Sequence, residues 1–597
     1  MPDVPNTPTE QIERVIPGPP GNAMFGSDAV AETLRQLDIP YIALTPGASF
    51  RGLHDSLVNH LGNTRPQMLL CLHEEHAVAL AHGWAKVTGR ALAVAVHANI
   101  GLFHASMAIF NAWCDRMPAL VLGATGPVDA ARRRPWIDWI HTARDQGAIV
   151  RPYVKWDDQP VSPAAAREAL IRAVWLAQTT PMAPVYVNLD AAMQEAELSE
   201  PLPPLDPARF MPPVAATPSP EAVKEAVEAL SGAKRALILM GRVSRSEAAW
   251  NTRVALAGAL GARVATDLKV GAAFPTNHPL HVGEPGIYPV PATAQAIAEA
   301  DVILSFDWVD LAGTLRSAGN TASPAARVIQ VSLDQNLHNG WSMDHQGLPP
   351  VDMFLAADPD LTAQAMLAML RPAGETPVIH APAADDLSTF APGPISVEQM
   401  GHALRQSVGR RDVSLLHLPL SWHGAIWPFT HPLDFLGSDG GAGIGAGPGI
   451  SVGAALALRG TGRLPISICG DGDFLMGVSA IWTAVHYRIP LLIVVANNQS
   501  FFNDEVHQER MARLRNRPVE NKWIGQRITD PEIDVAQMAR AQGAEGFGPI
   551  HAATEMAAVF RQAIAAVEAG AVVVVDVRVT PGYTPAMAAG LTRSSGN

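Results

Sequence analysis

The most informative stretch of the sequence is Ile468-Cys-Gly-Asp-Gly-Asp473, which is followed by the apolar run Leu491-Leu-Ile-Val-Val-Ala496 and then by Asn497-Asn498-Gln499. The apolar residues that precede Asp471 and Asn498 form short runs bounded by turn residues, which is typical of buried strands in a parallel sheet. The carboxyl ends of such strands form the edge at which open α/β sheets bind their ligands. We therefore expect both side chains at one ligand-binding edge.

The chemistry of this stretch favours a metal-bound diphosphate. Gly470 and Gly472 allow the backbone to approach a phosphate closely. Asp471, the amide oxygen of Asn498 at 27 positions further on, a backbone carbonyl and water would form a site of oxygen ligands, which suits Mg²⁺. A Gly-Asp-Gly triplet alone is weak evidence, and the alternative interpretation is a tight turn followed by an unrelated Asn turn.

Outward from this stretch, apolar strands alternate with helical patterns in three blocks that are separated by breaker-rich segments. This alternation predicts an α/β protein with three doubly wound parallel-sheet domains. We place an N-terminal arm at 1–21, domains at 22–200, 215–372 and 393–582, and a C-terminal tail at 583–597.

The composition excludes several classes of protein. Hydrophobic residues make up 48% of the chain and charged residues 17%, so the chain can bury several cores and is not disordered. The net charge of −13 argues against nucleic acid or an anionic membrane as a partner. The sequence shows no apolar run of membrane-helix length, no secretory signal, and three cysteines too widely spaced for a disulfide framework. We expect a cytoplasmic location.

The segment from Gly470-Asp-Gly472 to Asn497-Asn498 resembles the fingerprint of thiamine diphosphate-dependent enzymes. Ala480-Ile-Trp-Thr-Ala484 and Arg488-Ile-Pro490 are similar to the corresponding segments of benzoylformate decarboxylase and acetohydroxyacid synthase. The resemblance extends over residues 22–582 and implies thiamine diphosphate and Mg²⁺ as cofactors. It also implies that the first domain binds the pyrimidine and that the third domain binds the diphosphate with its metal. The metal ligands that it implies are Asp471, Asn498 and the backbone carbonyl of Ser500. The cofactor contacts that it implies are Glu74, Ser421, Ile444, Gly470, Gly472 and Asp473. Asp473 departs from the Ser that usually follows the triplet.

A second motif, Leu72-His-Glu-Glu-His-Ala77, resembles the cofactor-activating element of the family. Glu74 lies nine positions before Gly83, which is the family spacing for the activating glutamate. A carboxyl hydrogen-bonded to N1′ of the aminopyrimidine favours the imino form, which then removes the C2 proton of the thiazolium. The alternatives are a surface helix-capping glutamate, the same role for Glu75, and zinc ligation by His73 and His76, which lack a third ligand at metal spacing.

The third motif, Val96-His-Ala-Asn-Ile-Gly101, resembles the benzoylformate decarboxylases, because the synthases of the family carry a loop like Ser-Gly-Pro-Gly here. His97 lies 23 positions after Glu74, and Asn111-Ala-Trp113 also matches. An imidazole titrates near neutrality and can both give and take a proton. We predict that His97 is the proton-transfer residue; the alternative is a core histidine bonded to the backbone.

Two departures weaken the match to the decarboxylase. That enzyme has a Ser directly after its Pro-Gly, whereas Pro46-Gly47 is followed by Ala48 and then Ser49. Its middle domain supplies a second proton-transfer His, which the matching residues 305–314 lack. The expected substrate-pocket residues are Ala48, Ser49, Arg51, Trp308, Asp310, Phe501, Phe502, Asn503 and His507. Among these, Asn503 and His507 indicate a polar substrate or acceptor.

The glycine-rich run at 437–449 does not fit the dinucleotide pattern G-x-G-x-x-G. In the family this run lies under the cofactor, and Ile444 matches the apolar residue that holds the thiazolium against the pyrimidine. The alternative is an ordinary packed isoleucine in a loop.

The resemblance implies decarboxylation of a 2-oxo acid, after which the enamine is protonated to an aldehyde or ligated to a carbonyl acceptor. The alternatives are an acetolactate synthase-like carboligase, a non-catalytic protein on the same fold, and an NAD-dependent oxidoreductase. The sequence leaves open whether the middle domain binds a flavin or a nucleotide. The expected partners are a small 2-oxo acid, an acceptor, and further copies of the chain in a homodimer or a homotetramer built as a dimer of dimers.

Overall fold

A computed structural model describes residues 12–16, 23–200, 202–210, 212–319, 325–336, 347–370 and 393–592. Most of the expected N-terminal arm, most of the second linker and residues 593–597 of the expected tail lie outside these ranges. The rest of that tail includes a helix, so the chain continues in regular structure past the expected domain boundary at residue 582.

The first domain contains the strands β1 (Tyr41–Leu44), β2 (Gln67–Leu70), β3 (Ala93–Ala95), β4 (Leu120–Thr125), β5 (Asp157–Asp158) and β6 (Val185–Asp190). All of them except β5 are short, largely apolar runs. They make one parallel sheet in the order β2-β1-β3-β4-β6-β5. Its helices are α1 (Gly26–Gln36), α2 (Arg51–Asp55), α3 (Glu74–Thr88), α4 (Ala98–Cys114), α5 (Ile137–Ile140), α6 (Pro163–Gln178) and α7 (Ala191–Glu195).

The second domain contains the strands β7 (Ala236–Met240), β8 (Arg263–Ala265), β9 (Val302–Phe306), β10 (Arg327–Val331) and β11 (Met353–Leu355). They form a parallel sheet in the order β11-β10-β9-β7-β8. Its helices are α8 (Pro220–Ser231), α9 (Glu247–Leu260), α10 (Pro291–Glu299), α11 (Leu311–Gly319) and α12 (Pro359–Met369).

The third domain contains the strands β12 (Val413–Leu415), β13 (Leu464–Gly470), β14 (Leu491–Asn497), β15 (Glu545–Ile550) and β16 (Val572–Arg578). They form a parallel sheet in the order β12-β13-β14-β16-β15. Its helices are α13 (Val397–Val408), α14 (Ala446–Ala457), α15 (Asp471–Gly477), α16 (Ala480–His486), α17 (Phe502–Leu514), α18 (Val535–Ala541), α19 (Ala553–Glu568) and α20 (Pro585–Thr592). Among the described helices, none combines the length and the apolar character needed to cross a membrane.

Two glycines let helices α3 and α14 cross in direct backbone contact. A β-carbon at Gly83 would overlap the carbonyl oxygen of Ile450, and one at Gly453 would overlap the carbonyl oxygen of Leu80. Any larger residue would have to push the helices apart. This crossing fixes the first domain against the third domain of the same chain, and both helices begin at predicted site segments.

A buried cation joins all three domains beside this crossing. The ammonium group of Lys86 on α3 forms an ion pair with Asp115, and it donates to the carbonyl oxygens of Leu436 at 3.1 Å and Ser438 at 2.7 Å. From the second domain, the guanidinium of Arg245 donates to the same carbonyl of Leu436 at 3.0 Å. Both cations therefore hold the start of the glycine-rich run that leads to α14.

Candidate active site

The predicted metal ligands come together at the ends of β13 and β14. Strand β13 ends at Gly470, so Asp471 opens the following helix α15. The backbone N–H of Ser500 donates to Oδ2 of Asp471 at 3.1 Å and to Oδ1 of Asn498 at 2.9 Å. The two residues that the spacing selected, Asp471 and Asn498, therefore lie close together at the ends of neighbouring strands, next to Ser500, which the family resemblance implies. Metal binding by them stays a prediction.

The electrostatics of Asp471 fit a divalent cation. The residue is 3% exposed. Burial raises the pKa of its carboxyl group to about 6, although backbone N–H groups, including that of Ser500, favour the charged form. A desolvated carboxylate beside an amide oxygen and backbone carbonyls is the set of hard oxygen ligands that Mg²⁺ prefers. The residues present therefore fit the implied metal.

Asp473 holds the glycine-rich run. Its Oδ1 accepts the backbone N–H groups of Gly445 at 2.7 Å and Gly447 at 3.2 Å, at the N-terminus of α14. Its Oδ2 is buried without a hydrogen-bond partner and lies 3.9 Å from Nδ1 of His417. This explains the departure from Ser, because a carboxylate can accept two amide protons at a helix N-terminus. A direct contact between Asp473 and a cofactor stays a prediction.

Ile444 projects from this run instead of packing in a core. It is 46% exposed, and the following Gly445 has a φ of +100°, a conformation that favours glycine. The side chain is thus exposed in the single chain, and its contact with a ligand stays a prediction. Ser421 lies half-buried in the turn that follows β12.

Glu74 is the first residue of α3 and is 8% exposed. Its Oε2 lies 3.1 Å from Nδ1 of His104 on α4. Glu75 has a different environment: burial and then the charge of Asp473 raise the pKa of its carboxyl group. Among the described residues, no hydrogen bond or ion pair joins Glu74 to Asp471 or to Asn498 of the same chain.

His97 follows β3 and is the N-cap residue of α4. Its Nδ1 lies 2.8 Å from Oγ of Ser49, and its ring meets that of His141 edge-on at 4.8 Å. Burial and then the neighbouring His141 lower the pKa of His97 below its ordinary value. The structure therefore brings Ser49 to His97 even though Ser49 stands one position later than expected.

Two histidines of this region were missed by the sequence analysis, His104 and His141. His104 lies seven positions after His97, two helical turns along α4, so its position on the same face was visible in the spacing. His141 follows the short helix α5, and nothing in the local sequence indicated its contact with His97.

A cavity of about 600 Å³ lies beside these groups and is lined by Pro46, Gly47, Ala48 and Arg51, among others. Ala48 is exposed. The guanidinium of Arg51 forms an ion pair with Glu195 at 2.5 Å and donates to the carbonyl oxygen of Ala48 at 2.8 Å. Its charge is therefore already balanced, and a substrate carboxylate would have to compete for it.

The expected pocket residues of the third domain follow the metal ligands directly. The ring of Phe501 covers Gly472, where a β-carbon would lie 2.6 Å from the ring. Phe502 packs against Tyr583 with ring centroids 5.3 Å apart. Asn503 has a buried Oδ1 without a hydrogen-bond partner. His507 is half-buried on α17.

Trp308 lies elsewhere than expected. It is buried in the core of the second domain, and its Nε1 donates to Oγ1 of Thr314 at 2.9 Å. Its polar group is thus satisfied within the fold and presents little surface to a substrate. Asp310 likewise caps its own helix, since Oδ1 accepts the backbone N–H of Gly313 at 3.0 Å.

Each of the three domains matches a domain of a known protein family. The N-terminal TPP-binding domain of thiamine pyrophosphate enzymes matches residues 24–149, the central domain matches 223–366, and the C-terminal TPP-binding domain matches 420–577.

Individual relatives are distant but cover most of the chain. Benzoylformate decarboxylase of Pseudomonas aeruginosa is 25% identical over 83% of this chain and 89% of its own length. A probable acetolactate synthase large subunit of Methanocaldococcus jannaschii is 23% identical over 80% of each chain. The solved 4-hydroxybenzoylformate decarboxylase of Rhodococcus jostii RHA1 shares the fold, with a TM-score of 0.76, 22% identity and coverage of 94% of this chain and 100% of its own.

Proposed function

The chain belongs to the thiamine pyrophosphate enzyme family, and from this premise we propose that it decarboxylates a 2-oxo acid with thiamine diphosphate and Mg²⁺. The observation that carries the proposal is the joint presence of a buried, hydrogen-bonded Glu74 and of the oxygen cluster of Asp471, Asn498 and Ser500. A non-catalytic protein on this fold would have no need of either. The distant likeness to benzoylformate decarboxylase and to acetolactate synthases supports the reaction class.

The residues at the strand ends would hold the metal and the diphosphate. Asp471, the amide oxygen of Asn498 and the backbone carbonyl of Ser500 are the metal ligands in this proposal, and Gly470 and Gly472 give the diphosphate access to the backbone. When bound, the cofactor supplies an electron sink for the charge that is left on the substrate carbon as CO₂ departs.

Glu74 would hold a proton at N1′ of the pyrimidine. Its burial strengthens a hydrogen bond to a ring nitrogen, because the local dielectric constant is low. Ile444 would support the ring from the third domain through its exposed side chain.

His97 would move the proton that decides the product. Ser49 donates its backbone N–H to Nδ1 at 3.4 Å. Its hydroxyl accepts the N–H of Ala98 at 3.1 Å, so its own proton is directed to Nδ1 at 2.8 Å. This arrangement assigns the proton of the neutral ring to Nε2. A lowered pKa keeps His97 neutral at pH 7, so the imidazolium form that can donate a proton is scarce at that pH.

A carboligase that forms a 2-hydroxy ketone or an acetolactate-type acid is the second candidate. The specific observation in its favour is that residues 305–314 provide no second proton-transfer histidine. Trp308, in the same segment, is buried in a core. Slow protonation leaves more time for a carbonyl acceptor to react.

A homodimer, or a tetramer of two such dimers, would complete the site in this proposal. Large apolar side chains around the site are exposed in the single chain: Leu72, Ile100, Phe103, Ile444 and Met476. An exposed apolar surface of this kind is typical of a protein interface. A second copy of the chain is the partner that family membership favours in this proposal.

A flavin or dinucleotide in the second domain is not part of the proposal. At the ends of its strands, the guanidinium of Arg242 forms ion pairs with Asp307 at 3.3 Å and with Asp334 at 3.2 Å. Arg116 also pairs with Asp334, at 2.5 Å, so two guanidinium groups face two carboxylates where such a ligand would have to bind.

The test is a panel of 2-oxo acids scored for both CO₂ and carboligated product, together with mass spectrometry of the ligand released on denaturation. We expect thiamine diphosphate in the released fraction and CO₂ from at least one acid. A nicotinamide or no ligand, with no CO₂ from any acid in the presence of added cofactor and Mg²⁺, would contradict the proposal.

A further inference from the structure

We propose that His104 is a positioning residue for Glu74 and passes protons between its buried carboxyl group and solvent. The inference rests on the proposed function, because it assigns a partner to the glutamate that would activate the cofactor. It also makes a claim about the protein without its cofactor, which can be tested separately.

The contact joins a buried group to an exposed one. Nδ1 of His104 lies 3.1 Å from Oε2 of Glu74. The side chain of Glu74 is 11% exposed, whereas that of His104 is 59% exposed. An imidazole can accept a proton on one nitrogen and release another from its second nitrogen. The ring therefore bridges water and the buried residue that would hold the proton at N1′ in the proposed chemistry.

The same hydrogen bond orients the carboxyl group. With Oε2 held by His104, Oε1 is left facing Gly101, where a β-carbon would lie 3.1 Å away. A glycine at this position keeps the space beside Oε1 open. One oxygen is thus fixed to the protein, and the other remains available for a ring nitrogen.

A second histidine packs against the ring of His104. The ring of His73 is stacked on it with centroids 5.0 Å apart and planes 18° apart. His73 caps α3, because its Nδ1 accepts the N–H of Glu75 at 3.2 Å. Two stacked imidazoles disfavour a double positive charge, and burial and then His104 lower the pKa of His73. The lowered pKa favours the neutral form of His73 beside His104.

The proton transfer needs no reactant other than water. A proton that leaves the carboxyl group of Glu74 binds to Nδ1 of His104, and Nε2 then releases its proton to water. The reverse sequence returns a proton to Glu74. The groups that face this path from the packed elements are His73 and Glu74 on the first turn of α3 and His97 at the start of α4, which interacts electrostatically with Glu74.

The experiment compares His104→Asn with His104→Leu. Asparagine can still donate to Glu74 but cannot titrate, whereas leucine can do neither. The matched control is His431→Asn, because His431 forms a similar contact with Glu247 at 3.1 Å on the surface of the chain. The readout is the rate at which C2 of bound thiamine diphosphate exchanges its proton for deuterium, measured by NMR against pH.

We expect His104→Leu to slow this exchange by about 10²-fold, the lower end of the range for a positioned proton-transfer group. His104→Asn should restore part of the rate and remove the pH dependence that His104 causes. Both variants should lower kcat while KM changes little, and His431→Asn should behave like the wild type. Wild-type exchange rates in both His104 variants would overturn the proposal.

A second measurement needs no cofactor. In the cofactor-free protein, the ring NMR signals of His104 should shift in Glu74→Gln relative to the wild type, because the contact of Nδ1 changes from a carboxylate to an amide. Unchanged ring signals would show that the two groups are not in contact and would overturn the inference. Failure of the wild type to bind thiamine diphosphate would instead contradict the proposed function.

Discussion

Ser49 holds His97 through both its backbone and its side chain. The hydroxyl oxygen lies 2.8 Å from Nδ1 of the imidazole, and the backbone N–H of Ser49 lies 3.4 Å from the same atom. A β-carbon at Gly47 would overlap the ring of His97, so the Pro-Gly turn is shaped around this histidine. Its ring is therefore fixed by the neighbouring loop before any substrate enters.

His97→Ala should change the product more than it changes the first release of CO₂. Loss of a positioned proton-transfer group should slow aldehyde release by about 10²–10⁴-fold, whereas loss of CO₂ needs no proton donor. Ligation to an added aldehyde should be spared. The measurement is the ratio of aldehyde to ligated product from one 2-oxo acid. An unchanged ratio at an unchanged rate would leave His97 a structural residue.

The pH dependence of that ratio follows from the lowered pKa of His97. Burial and His141 bring the pKa below 6.5, so the ring is neutral at pH 7. We expect the aldehyde fraction of the wild type to rise as the pH falls below 6.5, because the protonated ring becomes available as a donor. The preference for the neutral ring stabilises the fold above pH 6.5, and this stabilisation is lost as the pH falls through the folded-state pKa. A ratio that is constant from pH 5 to 8 would contradict the assignment.

Asp471→Ala should abolish retention of thiamine diphosphate. The substitution removes the charged group of the predicted oxygen cluster, and Asn498 and Ser500 alone would bind a divalent cation weakly. The measurement is the cofactor that remains after gel filtration with Mg²⁺. Asp412→Asn, at an exposed position of the same domain, is the control and should retain the cofactor. Normal retention in Asp471→Ala would remove Asp471 from the metal site.

Mixtures of two inactive variants test whether the site is shared between subunits. Glu74→Gln and Asp471→Ala should each be inactive, but a mixed dimer would have one site with both substitutions and one site with neither. Random mixing in a symmetric dimer should restore roughly a quarter of wild-type activity. Activity that stays absent in a sample shown to contain mixed dimers would place both residues in the same chain's site.

Lys86→Met should destabilise the junction of the three domains. The substitution removes the ammonium partner of the buried carboxylate of Asp115, which keeps only its contact with Nε2 of His82 at 2.7 Å among the described side chains. Breaking a buried ion pair costs about 3–5 kcal/mol. We expect a clear drop in Tm, measured by calorimetry. The double variant Lys86→Met/Asp115→Leu should recover part of the loss. Lys224→Met, which removes an exposed pair with Glu228 at 3.8 Å, is the control and should change Tm little. Equal effects of Lys86→Met and Lys224→Met would contradict this account.

The strong apolar runs of the sequence predicted the three parallel sheets, but the short edge strands were not visible in it. β5 consists of Asp157 and Asp158 alone, and β8 and β11 have three residues each. Such strands are stabilised by pairing with a neighbour that is distant in sequence, so local patterns carry little signal for them.

In the candidate site, too, some features could be predicted from the sequence and others could not. Asp471 and Asn498 were predictable because parallel strands bring their carboxyl ends to one edge. The second turn of α4 brings His104 to Glu74, and the role of Asp473 depends on the amide groups of Gly445 and Gly447. These contacts depend on how helices pack across the domain, which no local spacing specifies.

The backbone contact between α3 and α14 has a consequence for the newly made chain. Roughly 370 residues separate Gly83 from its contact at Ile450, and at about 5–20 residues per second the ribosome needs about 20–70 s to add them. Throughout this interval the glycine face of α3 and the ammonium group of Lys86 lack their partners on the third domain. The first domain therefore exposes this face to solvent until the third domain has been made. We expect the chaperone level during expression to affect the yield of this protein more than the yield of a protein whose domains fold independently.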